Sequence, residues 1–291
     1  EATLALALRS VLWQSFVDWE LILIDDGSTD RTMDVVRQFQ DPRIRVLCES
    51  RNKGLAVRLN QCLELARGMY FARMDADDVA YPERLGRQVS YLEAHPEVDL
   101  LGHTALVFHG DGQAIGLHPV AADHDEICRR RWWGFPLAHP TWMGRLEWFR
   151  RHRYRESAVK AQDQELLLRS FRTSRFATLQ DVLLGYRLEG VSSTKSALGR
   201  YHYCRTLVEQ ICDMASAAVA VRGLVVHMLG LARDVLRANV GVAGGRQDRS
   251  RRSISPADAA TLQQWQSLWS TLTAMNRPAA EDRTPKTVAR L

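Results

Sequence analysis

The residues most able to do chemistry are acidic and grouped. Asp75, Asp77 and Asp78 lie within the run Asp75-Ala76-Asp77-Asp78. Three carboxylates this close repel one another unless a cation compensates. Hard oxygen donors of this kind suit Mg²⁺ or Mn²⁺, which take one or two protein carboxylates together with phosphate oxygens. In an extended segment Asp75 and Asp77 project to the same side. The plainer reading is an acidic turn with Asp78 capping a helix. A second group is Asp25-Asp26-Gly27-Ser28-Thr29-Asp30. A carboxylate there can accept hydrogen bonds from a nucleotide base or from ribose hydroxyls. For Ser28, Thr29 and Asp30 a turn with a helix cap is the better reading.

These groups need elements that hold them. Residues 4–12 begin the chain in a helical pattern, with Leu4, Leu8 and Val11 or Leu12 on one face. Leu21-Ile22-Leu23-Ile24 is a short apolar run of the kind found in buried parallel strands, and it ends at Asp25. Ile44, Val46 and Cys48 alternate as a second strand. Residues 54–66 read as a helix, broken by Gly68, and residues 69–74 as a strand running into the acidic run. Leu85, Val89 and Leu92 stripe the next helix, with Pro82 in its first turn. Residues 98–108 form a further strand, 111–122 a loop, 161–171 a helix and 176–187 a final strand. The alternation predicts an α/β fold: a mostly parallel sheet flanked by helices. In such sheets ligands bind beyond the carboxyl ends of the strands, where both acidic groups fall.

In order and spacing, these motifs resemble family 2 glycosyltransferases of the GT-A (Rossmann-like) fold. The resemblance is carried by Trp19-Glu20 through Asp25-Asp26-Gly27-Ser28-Thr29-Asp30, Asn52-Lys53-Gly54-Leu55 with Asn60, and Ala66-Arg67-Gly68. It continues through Ala72-Arg73-Met74-Asp75-Ala76-Asp77-Asp78, Pro82-Glu83-Arg84-Leu85 with Gln88, Ala138-His139-Pro140-Thr141, Gln162-Asp163 and Gly185-Tyr186-Arg187. It covers roughly residues 1–195 and points to bacterial enzymes of O-antigen, lipopolysaccharide or exopolysaccharide assembly. It implies an inverting, metal-dependent enzyme that moves a sugar from a nucleotide diphosphate sugar, UDP-linked, to a saccharide or lipid-linked acceptor. Asp26 and Asp25 would bind the nucleotide, and Asp75 the ribose or the metal's outer shell. Asp77 would ligate Mg²⁺ or Mn²⁺, and Asp163 would be the general base. His139 would lie on a loop near the donor sugar or acceptor, and Arg187 near the diphosphate. Three departures stand out. The family's opening strand is not present, Gln162 replaces a Glu before the base, and Glu189 stands where a His often follows Tyr-Arg. The first departure leads to the expectation that the sequence is a fragment or that the protein starts earlier. A nucleotidyltransferase, or a non-catalytic binding protein descended from a transferase, are the alternatives.

The remaining composition is bland. Of 291 residues 46% are hydrophobic, enough to bury a core, and the formal charge of +5 does not imply nucleic acid. Five scattered cysteines without a CxxC pair suggest reduced thiols in the cytosol. Residues 217–236 are apolar but interrupted by Arg222, His227, Arg233 and Asp234, so they read as a packed or interfacial helix and not a membrane span. Two basic-aromatic stretches, Arg129 to Trp133 and Arg145 to Arg155, could meet an anionic membrane surface. The expected organisation is a transferase domain over 1–198, helices over 199–275 and a disordered tail over 276–291. The expected place is the cytoplasm, with peripheral contact at the inner face of the plasma membrane.

Overall fold

In this computed structural model the described residues are 1–118, 120–129, 131–188, 193–211, 217–239 and 254–275. The Arg-rich linker at 241–253, the tail from Asn276 and Glu189 lie outside them. Helix α1 (Leu4–Leu12) opens the chain and buries Leu4 and Leu8 against Val36 of α2 (Thr32–Val36). Between them runs β1 (Leu21–Asp25), paired in parallel with β2 (Ile44–Cys48), with Leu21 opposite Ile44 and Asp25 opposite Cys48. Helix α3 (Leu55–Leu65) starts immediately after Gly54, whose φ of 89° suits a glycine and turns the chain into the helix. Leu59 and Leu63 face the core as the periodicity predicts, while Leu55 stays exposed.

The second sheet is built around β5 (Leu100–Phe108), every residue of which is buried. One edge of β5 pairs in parallel with β8 (Phe176–Arg187). Its other edge takes β7 (Met143–Arg145) near the start and β6 (Ala114–His118) near the end, both antiparallel. The short strands β3 (Tyr70–Ala72) and β4 (Val79–Ala80) flank the acidic run and pair antiparallel with β7 and β8. The fold is α/β as expected, but the sheet is not mostly parallel: among the described residues only the β1–β2 and β5–β8 pairings are. The link from β5 to β6 shows one reason. His109 N–H donates to the Gln113 carbonyl at 2.9 Å, a tight reversal. A parallel return needs a crossover of about a dozen residues or more. The loop expected over 111–122 is corrected by β6, and α5 (His124–Arg129) follows it. The expected strand over 69–74 contracts to three residues.

Helix α4 (Arg84–Ala94) covers the face below the acidic run. The turn at His139–Thr141 leads into β7 and then α6 (Leu146–Arg151). Helix α7 (Gln162–Ser170) precedes β8, and α8 (Ser193–Ile211) and α9 (Ala217–Asn239) pack on each other. Helix α10 (Ala259–Met275) returns to the sheet. Trp265, Leu268 and Leu272 join Val79, Tyr81, Leu106 and Phe108 in one cluster. Gly185 makes room for the Trp265 ring, which a Cβ there would strike. Trp265 Nε1 donates to the Gly112 carbonyl at 2.8 Å. The last helix is thus part of the core that backs the acidic run.

Candidate functional site

The acidic run hangs between β3 and β4 and is held from three sides. From below, Arg84 is almost wholly buried; its Nη2 donates to the Arg73 carbonyl at 2.7 Å and the Pro140 carbonyl at 2.8 Å. Its Nε reaches Gln88 Oε1 at 3.2 Å, and Gln88 Nε2 donates to the Thr141 carbonyl at 2.9 Å. Two residues one helical turn apart on α4 therefore clamp the run to the His139–Thr141 turn. From behind, Arg187 at the end of β8 donates its backbone N–H to Asp78 Oδ1 at 2.9 Å and its Nε to the Asp77 carbonyl at 2.8 Å. Its Nη1 reaches the Gly110 carbonyl at 3.0 Å, and its guanidinium lies 4.7 Å from the Phe108 ring and 5.8 Å from Trp269 of α10. From the side, Arg73 forms an ion pair with Asp75.

Within this frame one oxygen each of Asp75, Asp77 and Asp78 lie within 4.8 Å of one another. Asp78 is buried, so it is not the solvated helix cap of the plainer reading, and its Oδ2 has no hydrogen-bond partner. Loss of water raises its pKa first, and the negative charges of Asp75 and Asp77 add to that; the Arg187 N–H and Arg73 only partly offset them, leaving it at about 8. An orphaned buried carboxylate beside two others fits a divalent cation with oxygen ligands. Without a cation, the linkage has a definite sign. The folded state holds the Asp78 proton up to about pH 8, whereas the unfolded chain releases it near 3.8. The stability contributed by that proton is complete below the lower value and lost as pH rises through the upper one. Asp78→Asn, which keeps an acceptor for the Arg187 N–H, is expected to flatten the fall in Tm across that window. Calorimetric scans in chelator at several pH values check this. An unchanged slope would place the titration elsewhere.

Asp163 is the second residue of α7, where helix N–H groups and dipole favour a carboxylate. Burial raises its pKa. The hydrogen bond from the Gln164 N–H and the positive charge of Arg73 pull the other way without overcoming it. Arg73 is thus the link: it binds Asp75 directly and lies within electrostatic reach of Asp163.

His139 lies beside this group but is buried. Its Nε2 meets the Tyr154 hydroxyl at 2.9 Å and its ring packs 4.6 Å from Trp142. Burial, with help from Arg73, holds its pKa well below the usual histidine range, so it is neutral near pH 7. Tyr154 is fixed by Asn60, which donates Nδ2 to its carbonyl at 2.9 Å and accepts its N–H at 3.0 Å.

The first acidic group is engaged differently. Asp25 Oδ1 accepts the Ser28 N–H at 3.1 Å, closing the turn at Gly27. Asp26 accepts the Lys53 N–H at 2.9 Å, the Gly54 N–H at 2.8 Å and Arg58 Nε at 2.6 Å. Its partial burial would raise its pKa, but these bonds outweigh that and lower it. Asp26 therefore shapes the loop entering α3. The Thr3 hydroxyl donates to the Ala76 carbonyl at 3.3 Å and Glu1 Oε2 accepts the Arg31 N–H at 2.7 Å, so the residues just before α1 tether both acidic loops.

Sequence reasoning gave no role to Arg73, Arg84 or Gln88. Arg73 had a signal, an arginine two residues before Asp75 in an extended segment. Gln88 sits one turn from Arg84, but nothing local marks Arg84 as buried. The second basic-aromatic stretch turns its aromatic residues inward, while Arg150, Arg151 and Arg153 are exposed. Trp148 is buried and donates to Ser174 Oγ at 2.8 Å, Arg145 caps the Leu92 carbonyl, and Arg150 caps those of Leu63 and Ala66.

A sequence profile of Glycosyl transferase family 2 matches residues 1–153. The chain belongs to this family. Among curated relatives, EpsE of Bacillus subtilis, named for glycosyltransferase activity, is 34% identical over 73% of this chain and 81% of its own length. A second, from Escherichia coli, is named UDP-Glc:alpha-D-GlcNAc-diphosphoundecaprenol beta-1,3-glucosyltransferase WfgD. It is 37% identical over 32% of this chain and 36% of its own length. Among solved structures, the mannosyltransferase PcManGT of Pyrobaculum calidifontis, in complex with GDP-Man and Mn²⁺, matches with a TM-score of 0.57. The match spans 95% of this chain and 84% of that one at 17% identity, a likeness of fold. The chain is a family 2 glycosyltransferase with the GT-A fold.

Proposed function

We propose that this glycosyltransferase moves a sugar, with inversion, from a UDP-linked donor to a saccharide or lipid-linked acceptor in cell-surface polysaccharide synthesis. The observation that supports the reading is Arg73, which is ion-paired with Asp75 of the acidic run and lies within electrostatic reach of the buried Asp163. Asp163 removes the proton of the acceptor hydroxyl as its oxygen attacks the anomeric carbon. The new C–O bond forms on the face opposite the breaking bond to the diphosphate, and the proton stays on Asp163. Asp77 and Asp75, with Asp78 beneath them, would hold Mg²⁺ or Mn²⁺, which supplies charge stabilisation to the departing diphosphate. Arg187 orients the Asp77 carbonyl and the Asp78 carboxylate near that diphosphate. Asp25, and Asp26 through the Lys53–Gly54 loop it orders, form the nucleotide side, with Asp75 toward the ribose. Neutral His139 shapes the wall by the sugar or acceptor.

The UDP assignment is supported by the name of the E. coli relative, while the archaeal fold neighbour holds GDP-Man. The working place is the cytoplasmic face of a membrane, where a lipid-linked acceptor would be met. The test is turnover of UDP- and GDP-sugars with a lipid-diphosphate saccharide in detergent, with Mn²⁺ or with chelator, and NMR of the product's anomeric centre. Transfer from the UDP-sugar alone, inverted and lost in chelator, is expected. A retained anomer would overturn inversion, and full activity in chelator would overturn the metal.

A further inference from the structure

Helix α9 has two apolar faces, and among the described residues only one of them is packed. The inner face carries Gly223, His227 and Gly230, all buried. A Cβ on Gly223 would lie 2.9 Å from the Trp132 carbonyl, so the helix sits directly on the Trp132–Trp133 loop. On the opposite side Val221, Val225, Met228 and Leu229 recur at the spacing of one helical face. They are 51%, 55%, 54% and 69% exposed. Among residues 217–232 the one Lys, Arg, Asp or Glu is Arg222, and it lies at the margin of this face with its guanidinium 4.4 Å from the Trp132 ring. On the same loop Trp133 is 52% exposed, and Arg129, at the end of α5, is exposed with Glu126 3.2 Å away.

A row of large apolar side chains in water calls for a partner. The stretch 217–232 spans about 24 Å as a helix, short of the ~30 Å of a bilayer core, and no described helix is long and apolar enough to cross a membrane. An apolar outer stripe edged by arginine and tryptophan is the pattern of a helix lying in a membrane interface. A second copy is a poorer fit, because a two-fold contact through this face brings together surfaces edged by the same positive charge.

The surface is also connected to the site. The Tyr203 hydroxyl on α8 donates to the Arg131 carbonyl, and Asp163 lies within electrostatic reach of that phenol. Gln164, next to Asp163, accepts the Phe135 N–H at 2.7 Å. The loop from Arg131 to Phe135 is therefore pinned between the base and the α8–α9 pair.

We propose that the outer face of α9, with Trp133, docks the enzyme on an anionic phospholipid bilayer and so presents Asp163 to an acceptor headgroup at that surface. This rests on the reading of the acceptor as lipid-linked. Flotation of the full chain with phosphatidylcholine vesicles, with and without phosphatidylglycerol, tests it. The wild type is expected to float with the anionic vesicles and to be released by salt. Val225→Glu/Leu229→Glu, both changes on exposed positions, is expected to lower that partition at least about tenfold, leaving Tm and transfer in detergent unchanged. Equal flotation of the double variant overturns the proposal. So does failure of the wild type to float, or a wild-type dimer that the variant dissolves. Vesicle binding lost in the variant, together with no transfer to any lipid-linked acceptor, leaves the docking surface standing and removes the acceptor reading instead.

Discussion

Replacing Asp163 with Asn is expected to lower kcat for sugar transfer by about 10³-fold, within the range general bases contribute, while nucleotide binding and Tm stay near wild type. Asn preserves the shape and keeps an oxygen for the Gln164 N–H, so the start of α7 should not move. What it loses is the capacity to take a proton. The environment of Asp163 adds a second signature. Burial lifts its pKa above the ordinary value of 3.8 against the pull of the Gln164 N–H and Arg73. A base works only when ionised, so kcat/KM should fall as pH drops through that raised pKa. The acid limb should therefore lie above the range of a solvated aspartate, and the Asn variant should lack it. Steady-state rates across pH, with calorimetric titration of nucleotide into both proteins, check the two parts. Normal turnover by the variant would remove the base assignment. A loss of activity accompanied by lost nucleotide binding would make Asp163 a structural residue.

Why some of this could be read from the chain and some could not follows from the range of the forces involved. The run Leu21-Ile22-Leu23-Ile24 ending in two aspartates, the stripe Leu59–Leu63 and the face Trp265–Leu268–Leu272 are local patterns, and each sits where its periodicity places it. Strand direction is not local. β5 is buried along its length, and such a run looks the same whether its neighbours are parallel or antiparallel. The mostly parallel sheet that alternation predicts therefore breaks down where short links such as His109–Gln113 force reversals. Strand β6 escaped because Ala114-Ile115-Gly116-Leu117-His118 alternates weakly around a glycine. Side-chain partners are harder still. Asn60 meets Tyr154 across 94 positions, and Arg84 meets the Pro140 carbonyl across 56. An arginine read as surface charge becomes a clamp because carbonyls freed at a loop need donors, and that need is visible only when the chain is folded. The same holds for Arg150, whose donors satisfy the end of α3.

Asp77→Ala is expected to weaken cation-dependent binding of the donor nucleotide by at least about 100-fold. Loss of an outer partner of a metal ligand costs ~10–100-fold in metal affinity, and loss of a ligand itself costs no less. The argument for Asp77 comes from the state of its neighbours. Asp75 is already ion-paired with Arg73, so a cation must compete for it. Asp78 is buried against the Arg187 N–H with its pKa lifted to about 8, so near neutral pH it must give up a proton before it can offer a charge. Asp77 lies between these two in the cluster, and its backbone is fixed by the Arg187 guanidinium stacked over Phe108, so its carboxylate is held where a cation shared by the three would sit. The same reasoning fixes a proton count. Binding of a cation in the wild type should release a proton from Asp78, because a ligand carboxyl must be ionised to coordinate. Titrations of UDP in Mn²⁺, run in two buffers of different ionisation enthalpy, read affinity and proton release together. Wild-type affinity in the Ala variant would take the cation away from Asp77. Tight binding without proton release would leave Asp77 and Asp75 as the ligands and return Asp78 to the role of a buried, protonated brace.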